Sequence, residues 1–421
     1  MIPPNSWTML AGEGFQLTTE FIIATLLWVD DVVTCVDGDE DQNKVLERIN
    51  QFAKNHKLQW GKEKCRVMRC GKHKDDPKEW MIGSMAITET DSYKYLGDTL
   101  TSDGKNAKNL TDRKNKMITS IVTIHTIAAN EILNKIETSI LIDLHEKINI
   151  PGLLANSEAW NLSKGEKDEL EKIEIQTLRD LFDLPIHTPT PAIIYSVGTL
   201  FTSIRLDQKQ LIYLHKLLKR PPAHWTHMTL KTLTDKNIGW GKSIRDTLSR
   251  YKLPLDLQTI KNTSHIEWKR RVTTEIEKEN LERLKRECYK TVNETNVVKT
   301  KTKSIINHIS KQEYKRGPNK ELLSCTKQEA KTILIARYRM LECGTNFKGT
   351  IKELCNNCNI LDDETHRLNY CEKYKTVNYY ESDLKVDFND IYSADIHTLR
   401  VLLPKIEKVW NTKNANGSMN S

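Results

Sequence analysis

The chain has 421 residues, a formal net charge of +8, 38% hydrophobic residues and 29% charged residues. This length suggests two to four domains, and the composition excludes both a wholly disordered chain and a membrane protein. Nine cysteines spread over so long a chain are not a disulfide framework, which favours a reducing compartment. The N-terminus shows no export signal, so we expect the nucleus or the cytoplasm rather than secretion.

The first hundred residues alternate between strand and helix signals. Asp30 and Asp31 separate two apolar runs, a pattern that predicts a hairpin with an acidic turn. The predicted elements are hairpin strands at 21–29 and 32–36, a helix at 39–56 and short strands at 65–70 and 81–87. Together they indicate a small antiparallel sheet beside a helix.

The next hundred residues follow a helical period. One apolar stripe includes Ile140 and Ile148, and it predicts a buried helix face that ends at Pro151. A second helix is expected to begin after Ser163, because Glu166 three residues later completes a capping box. We therefore predict an α+β fold that is mostly helical.

Basic residues are concentrated between 265 and 320, where 15 Lys or Arg face 8 Asp or Glu. The candidate nucleic-acid-binding residues are Lys269, Arg270 and Arg271, next to Trp268, and Lys299, Lys301 and Lys303 in a Thr-rich stretch. Cations beside an aromatic side chain suit phosphate contacts, because each neutralised phosphate releases condensed counterions. A solvated helix face with interleaved Glu–Lys pairs explains the same pattern equally well.

Four metal-ligand residues cluster near the C-terminus in the pattern Cys-x2-Cys-x7-His-x4-Cys. They are Cys355, Cys358, His366 and Cys371. Thiolates and imidazole at this spacing match the closed tetrahedral shell of structural Zn2+, which has no open position for water. We predict a structural zinc site, for which Cys343 is a less well-spaced substitute ligand. The module either contacts nucleic acid or only holds the C-terminal region together.

The acidic pair alone is a weak signal, since carboxylates at a strand end usually form a polar turn. Its context at 26–33 resembles the aromatic-x-Asp-Asp signature in the palm of reverse transcriptases. Residues 58–68 are similar to the next palm motif, in which a helix leads into a strand carrying a lysine. Residues 95–97, followed by the turn at 102–104, resemble the primer-grip motif of non-LTR (LINE-type) retrotransposons. With the zinc quartet behind these blocks, the chain resembles the C-terminal portion of such a reverse transcriptase.

This resemblance implies roles for individual residues. The implied catalytic residues are Asp30, Asp31 and Lys64, and the implied primer-positioning residues are Tyr95, Leu96 and Gly97. Asp30 would hold catalytic Mg2+ in a complete palm, with Asp31 in support. Lys64 would lie near the phosphates of the incoming nucleotide. The partners would be RNA and/or DNA, and no membrane is involved.

The same resemblance divides the chain into consecutive segments. The expected segments are a partial palm at 1–104, a helical thumb-like region at 105–235, a basic linker at 236–340, a CCHC zinc module at 341–378, and a C-terminal helix with a disordered tail at 379–421.

One part of the polymerase machinery is not found. Two-metal phosphoryl transfer needs carboxylates from more than one strand, and in the family one such aspartate lies on an earlier palm strand. Only 29 residues precede Asp30, and their acidic members are Glu13 and Glu20. We therefore expect a truncated RNA-directed DNA polymerase that binds nucleic acid but does not polymerise DNA alone.

Two other interpretations stay open. The first is a zinc-dependent RNA- or DNA-binding protein without a polymerase role, in which the acidic pair is only a turn. The second, weaker one is a helical scaffold whose charges are merely solvated.

Overall fold

The chain forms two compact units in a computed structural model. The structure describes residues 15–18, 21–23, 25–28, 31–71, 78–127, 135–186, 188–294, 320–338, 340, 354–374 and 396–411. Unit 1 comprises Met1–Arg113, Asn156–Lys167 and Asp207–Val272, and unit 2 comprises Lys114–Ala155, Asp168–Leu206 and Thr273–Ser421. The units alternate along the chain, whereas the five segments expected above are consecutive.

The described elements are short strands and many helices. The strands are β1 (Phe15–Thr18), β2 (Phe21–Ile23), β3 (Thr25–Trp28), β4 (Asp31–Thr34), β5 (Arg66–Val67), β6 (Trp80–Ile82), β7 (Met85–Glu89), β8 (Ser92–Tyr95) and β9 (Asp98–Thr101). The α-helices are α1 (Asp39–Asn55), α2 (Ala107–Ile127), α3 (Thr138–Leu144), α4 (Ile150–Leu153), α5 (Lys164–Leu181), α6 (Thr190–Val197), α7 (Thr202–Leu218), α8 (Trp225–Asp235), α9 (Gly239–Arg250), α10 (Leu257–Asn262), α11 (His265–Glu294), α12 (Lys320–Leu323), α13 (Lys327–Arg337), α14 (Glu364–Asn369) and α15 (Ile396–Asn411). This content confirms the predicted α+β, mostly helical class.

The strands of unit 1 form several small sheets. β3 and β4 pair antiparallel with Trp28 opposite Asp31, so the predicted hairpin around the acidic pair is present. β7 lies between a parallel β5 and an antiparallel β6. The predicted helix is α1, whose buried Val45 and Ile49 pack with Trp80 in one apolar cluster. Burial of these side chains stabilises the sheet, at roughly 25 cal/mol per Å2 of apolar surface.

β8 and β9 form a hairpin with a two-residue turn. Tyr95 pairs with Asp98, which leaves Leu96 and Gly97 as the turn residues. Both have positive φ, 47° and 90°, as the hairpin turn of type I′ requires. Glycine adopts this conformation freely, whereas it costs a leucine about 1 kcal/mol. Leu96 is also 45% exposed at this turn.

Two close helix contacts organise the rest of unit 1. α8 and α9 pack so closely that a Cβ on Gly241 would lie 2.4 Å from the carbonyl carbon of Leu233. The residues of α11 in this unit pack on α7, with Trp268 buried and its indole N–H donating to the carbonyl of Leu211. This burial corrects the expectation that the indole lies beside the basic run on the surface.

In unit 2 the predicted stripe at Ile140 and Ile148 is wrong. Both side chains are exposed, by 50% and 55%, while Leu141 and Ile142 are buried. A π-helical turn, His145–Asn149, joins α3 to α4, and Pro151 lies in the first turn of α4 instead of ending the helix. The buried side is formed instead by Thr138, Leu141, Ile142 and His145, so the predicted stripe lies one position away from the side that faces the core.

The capping box after Ser163 is confirmed. The backbone N–H of Ser163 donates to Glu166 Oε2 over 2.7 Å, and the Glu166 N–H donates to Ser163 Oγ over 3.3 Å. α5 follows, with Leu170 and Leu178 fully buried. Within the described residues, no helix combines the length and apolar composition that crossing a bilayer requires.

Candidate metal centre

The four residues of the predicted quartet lie together in unit 2. The Sγ atoms of Cys355, Cys358 and Cys371 and the ring nitrogens of His366 offer ligand atoms that all lie within 4.8 Å of one another. Cys371 Sγ is 3.7 Å from Cys355 Sγ and 3.8 Å from Cys358 Sγ. His366 and Cys371 are buried, and the other two are half-buried. This cluster can hold a metal ion such as zinc.

A tight turn presents the first two thiols. Cys355 N–H donates to the carbonyl of Ile360, and Asn359 N–H donates back to the carbonyl of Cys355, each over 2.8 Å. Leu354 and Leu361 form an isolated antiparallel bridge behind the turn. Asn359 has φ 53°, a conformation that asparagine tolerates better than most residues. The Cys-x2-Cys spacing therefore brings both thiols to one side of a turn.

A short helix presents the other two ligands. Asp363 caps α14 by accepting the N–H of His366 over 2.6 Å. Arg367 holds the start of the helix through two bonds to the Asp362 carboxylate, of 2.7 and 2.6 Å. The Cys371 N–H donates to the carbonyl of His366 over 2.8 Å, which returns the chain to the imidazole. Both ligands are thus fixed by backbone hydrogen bonds.

The electrostatics of the cluster favour a bound cation. Burial raises the pKa of the Cys355 thiol, but peptide N–H groups of the turn, chiefly that of Asn357, lower it to about 7. Burial and the neighbouring Cys355 and Cys358 sulfurs raise the pKa of the Cys371 thiol to about 12. Both ring nitrogens of His366 are buried without a hydrogen-bond partner among the described residues. A bound cation would favour the deprotonated Cys371 thiol and would give a buried His366 ring nitrogen a partner.

The C-terminal helix supports the metal centre. α15 packs against α14 and the 3-10 turn after it, and also against α13. Its Leu399, Leu402 and Ile406 are buried. Arg400 of α15 forms a 3.0 Å ion pair with Glu329 of α13 and donates to the carbonyl of Ser324. Cys343, the substitute ligand, lies outside the described residues.

Several residues of unit 1 that the reverse-transcriptase resemblance singles out lie near one another. Asp31 is exposed at the start of β4, while Asp30 lies outside the described residues. Burial raises the pKa of the Tyr95 phenol, and the nearby Asp31 carboxylate raises it further. Lys64 lies in an exposed turn before β5, not in a strand, and its carbonyl accepts the Tyr93 hydroxyl over 3.1 Å.

Sequence reasoning missed two asparagines that hold the β8–β9 hairpin. Asn109 is buried and bonds both backbone groups of Thr99, accepting its N–H over 2.7 Å and donating to its carbonyl over 3.0 Å. Asn156 donates to the carbonyl of Leu96 over 3.3 Å. A polar residue on the buried side of α2 was the available signal for the first. Asn156 lies in a loop with φ 60°, and no pattern in the sequence indicated its role.

The predicted nucleic-acid residues divide into two groups. Lys269, Arg270 and Arg271 are exposed on α11. Lys299, Lys301 and Lys303 lie outside the described residues. Farther along α11, Lys278 pairs with Glu275 and Lys285 with Glu282, which is the solvated pattern of charges considered above.

No protein-family description, curated protein or solved structure matches this chain. The geometry of the residues themselves is therefore what bears on function.

Proposed function

We propose that the chain is a nucleic-acid-binding fragment of a reverse transcriptase of the non-LTR retrotransposon kind. The observation that carries this proposal is the convergence of three distant blocks in unit 1. The Tyr93 hydroxyl donates to the Lys64 carbonyl over 3.1 Å. The Asp31 carboxylate contributes to the raised pKa of the Tyr95 phenol. Residues that resemble the acidic pair, the lysine motif and the primer grip are thus neighbours, which a polymerase palm requires.

We propose Zn2+ as the ion of the quartet, in a structural role. A tetrahedron with Zn–S bonds of about 2.3 Å has sulfur–sulfur edges of about 3.8 Å. The two distances from Cys371 Sγ, 3.7 and 3.8 Å, agree with that edge. Three sulfurs and one nitrogen also favour zinc over hard cations, which take oxygen ligands. Four protein ligands leave no position for a reacting water, so the ion would stabilise the fold of residues 354–374.

Polymerase activity is not expected of this polypeptide alone. Two Mg2+ ions about 4 Å apart need several carboxylates, and the proposed site offers the pair Asp30 and Asp31. Primer extension by the full chain on a primed RNA template, with Mg2+, tests this. Synthesis that Asp30→Ala abolishes would refute the claim of inactivity while supporting the reverse-transcriptase assignment.

Binding is tested separately from synthesis. The full chain should bind RNA or DNA with an affinity that falls steeply with salt, because phosphate contacts release counterions. Binding that salt does not weaken would refute the proposed function.

A zinc-dependent binder without a polymerase role is the second candidate, favoured by the exposed run at Lys269. Loss of binding on zinc chelation, with full binding retained by Asp30→Ala and Asp31→Ala, would support this candidate.

A further inference from the structure

The ends of two helices in unit 1 bring separate basic segments together. Trp268 of α11 donates its indole N–H to the carbonyl of Leu211 in α7 over 2.9 Å. Four residues later in α7, the His215 ring lies 5.4 Å from that of His265, which comes before Trp268. The two helices therefore run antiparallel. The C-terminal end of α7 lies beside the N-terminal end of α11.

Exposed cations occur at both of these adjacent helix ends. Lys216 is exposed in the last turn of α7, Lys219 and Arg220 are exposed just after its last residue, and Lys269 and Arg271 are exposed near the start of α11. None of these five forms an ion pair with another described residue. The α7 side carries no Asp or Glu between 208 and 220, and the α11 side carries one acidic residue between 257 and 274. We call these five residues the α7–α11 basic surface.

Unpaired cations at this density repel one another, at a cost that a polyanion removes. The ion pairs farther along α11 show what a merely solvated surface looks like on the same helix, since each lysine there has a glutamate three residues before it. The α7–α11 basic surface has no such neutralising partners among the described residues. The α7–α11 basic surface is therefore available to bind an external anion.

We infer that the α7–α11 basic surface binds the phosphodiester backbone of a nucleic acid. The inference rests on the proposed function and deepens it, because it assigns the contact to α7 residues that sequence reasoning did not select. The cations come from two adjacent segments of the chain, and a nucleic-acid backbone offers them a phosphate every few ångströms. Backbone contacts carry no base information, so the surface binds without sequence preference.

The size of the effect follows from counterion release. Each phosphate contact contributes about 0.9 to the slope of log affinity against log salt on duplex DNA. Removing three contacts lowers the slope by about 2.7. Between 50 and 200 mM salt, this makes the affinity about 40-fold less sensitive to salt than that of the wild type.

The test compares two triple variants of the full chain. The α7 variant carries Lys216→Gln, Lys219→Gln and Arg220→Gln. All three side chains are exposed, so the fold should be retained, which circular dichroism checks. Fluorescence anisotropy then measures the affinity for duplex DNA and for duplex RNA across the salt series. Comparing the two duplexes shows whether the surface binds the phosphodiester backbone of DNA, of RNA or of both.

A control variant removes the same number of charges elsewhere. It carries Lys54→Gln, Lys164→Gln and Lys172→Gln, which are exposed lysines without ion pairs among the described residues. We expect the slope to fall by 2 to 3 in the α7 variant and by less than 1 in the control. Equal changes in both variants would overturn the surface assignment while leaving the proposed function standing. A wild-type chain without salt-sensitive binding would overturn both.

A measurement on the unmodified protein gives an independent answer. Lysine acetylation followed by mass spectrometry reports which amines a bound duplex covers. Lys216, Lys219 and Lys269 should lose at least half of their reactivity when duplex is bound, whereas Lys54 and Lys172 should keep theirs. Unchanged reactivity at the first three lysines with duplex bound would refute the inference, whatever the variants show.

Discussion

Replacing Asn109 by alanine should release the β8–β9 hairpin from α2. The side chain is 6% exposed and bonds both the N–H and the carbonyl of Thr99, so it completes an edge strand as a neighbouring strand would. Thr99 is itself buried. Alanine removes both bonds and leaves two backbone groups without partners, at about 1–3 kcal/mol each. Two such groups sum to about 2–6 kcal/mol, and we expect a local destabilisation in the lower part of that range, about 2–4 kcal/mol.

Hydrogen exchange measures this loss where it occurs. A local change of 2–4 kcal/mol should make the Thr99 amide exchange about 30 to 700 times faster. Asn109→Asp should fall between alanine and wild type, because a carboxylate still accepts the N–H but cannot donate to the carbonyl. Asn115, exposed on the same helix, is the control, and its alanine variant should stay within about 0.5 kcal/mol of wild type. Wild-type exchange in Asn109→Ala would refute the reasoning.

Three further outcomes are expected. Cys371→Ser should abolish stoichiometric zinc in metal analysis of the purified chain, whereas Cys70→Ser, outside the quartet, should retain it. Gly241→Ala should cost about 1–3 kcal/mol in chemical denaturation because its Cβ meets the backbone of α8, while Gly165→Ala, in open space on α5, should gain about 0.5–1 kcal/mol. Burial raises the pKa of Glu329, but the Thr326 N–H and an α15 arginine lower it overall, so its stabilising effect holds above pH 4.5. That effect is lost as the pH falls through the lowered value, and proteolysis of α15 should accelerate there but not in Glu329→Gln.

Local signals in the sequence predicted much of the fold. The capping box at Ser163 depends on residues three positions apart, and the quartet joins a Cys-x2-Cys turn to a helix that begins six residues after Cys358. The α1 stripe and the hairpin at Asp31 were predictable for the same reason. In each case the interacting residues lie within one element or in two consecutive ones.

The features that sequence reasoning missed depend on distant partners. Ile140 and Ile148 fit a regular helical period, but Leu141, Ile142 and His145 face the core instead, and the buried side of a helix depends on what packs against it. Trp268 adjoins a basic run in sequence, yet its indole meets a carbonyl 57 residues away and is buried. Asn109 and Asn156 bond to backbone groups of another element, which a linear pattern does not encode.

The alternation of the two units along the chain constrains how the protein is made. Unit 1 draws on a segment that ends at Val272, so a ribosome must pass residue 272 before that unit has all its parts. Early strands must wait, with apolar surface uncovered, for helices that emerge later. A nonsense codon near residue 200 would therefore damage the N-terminal strands as well as the missing portion, and its product would depend on chaperones.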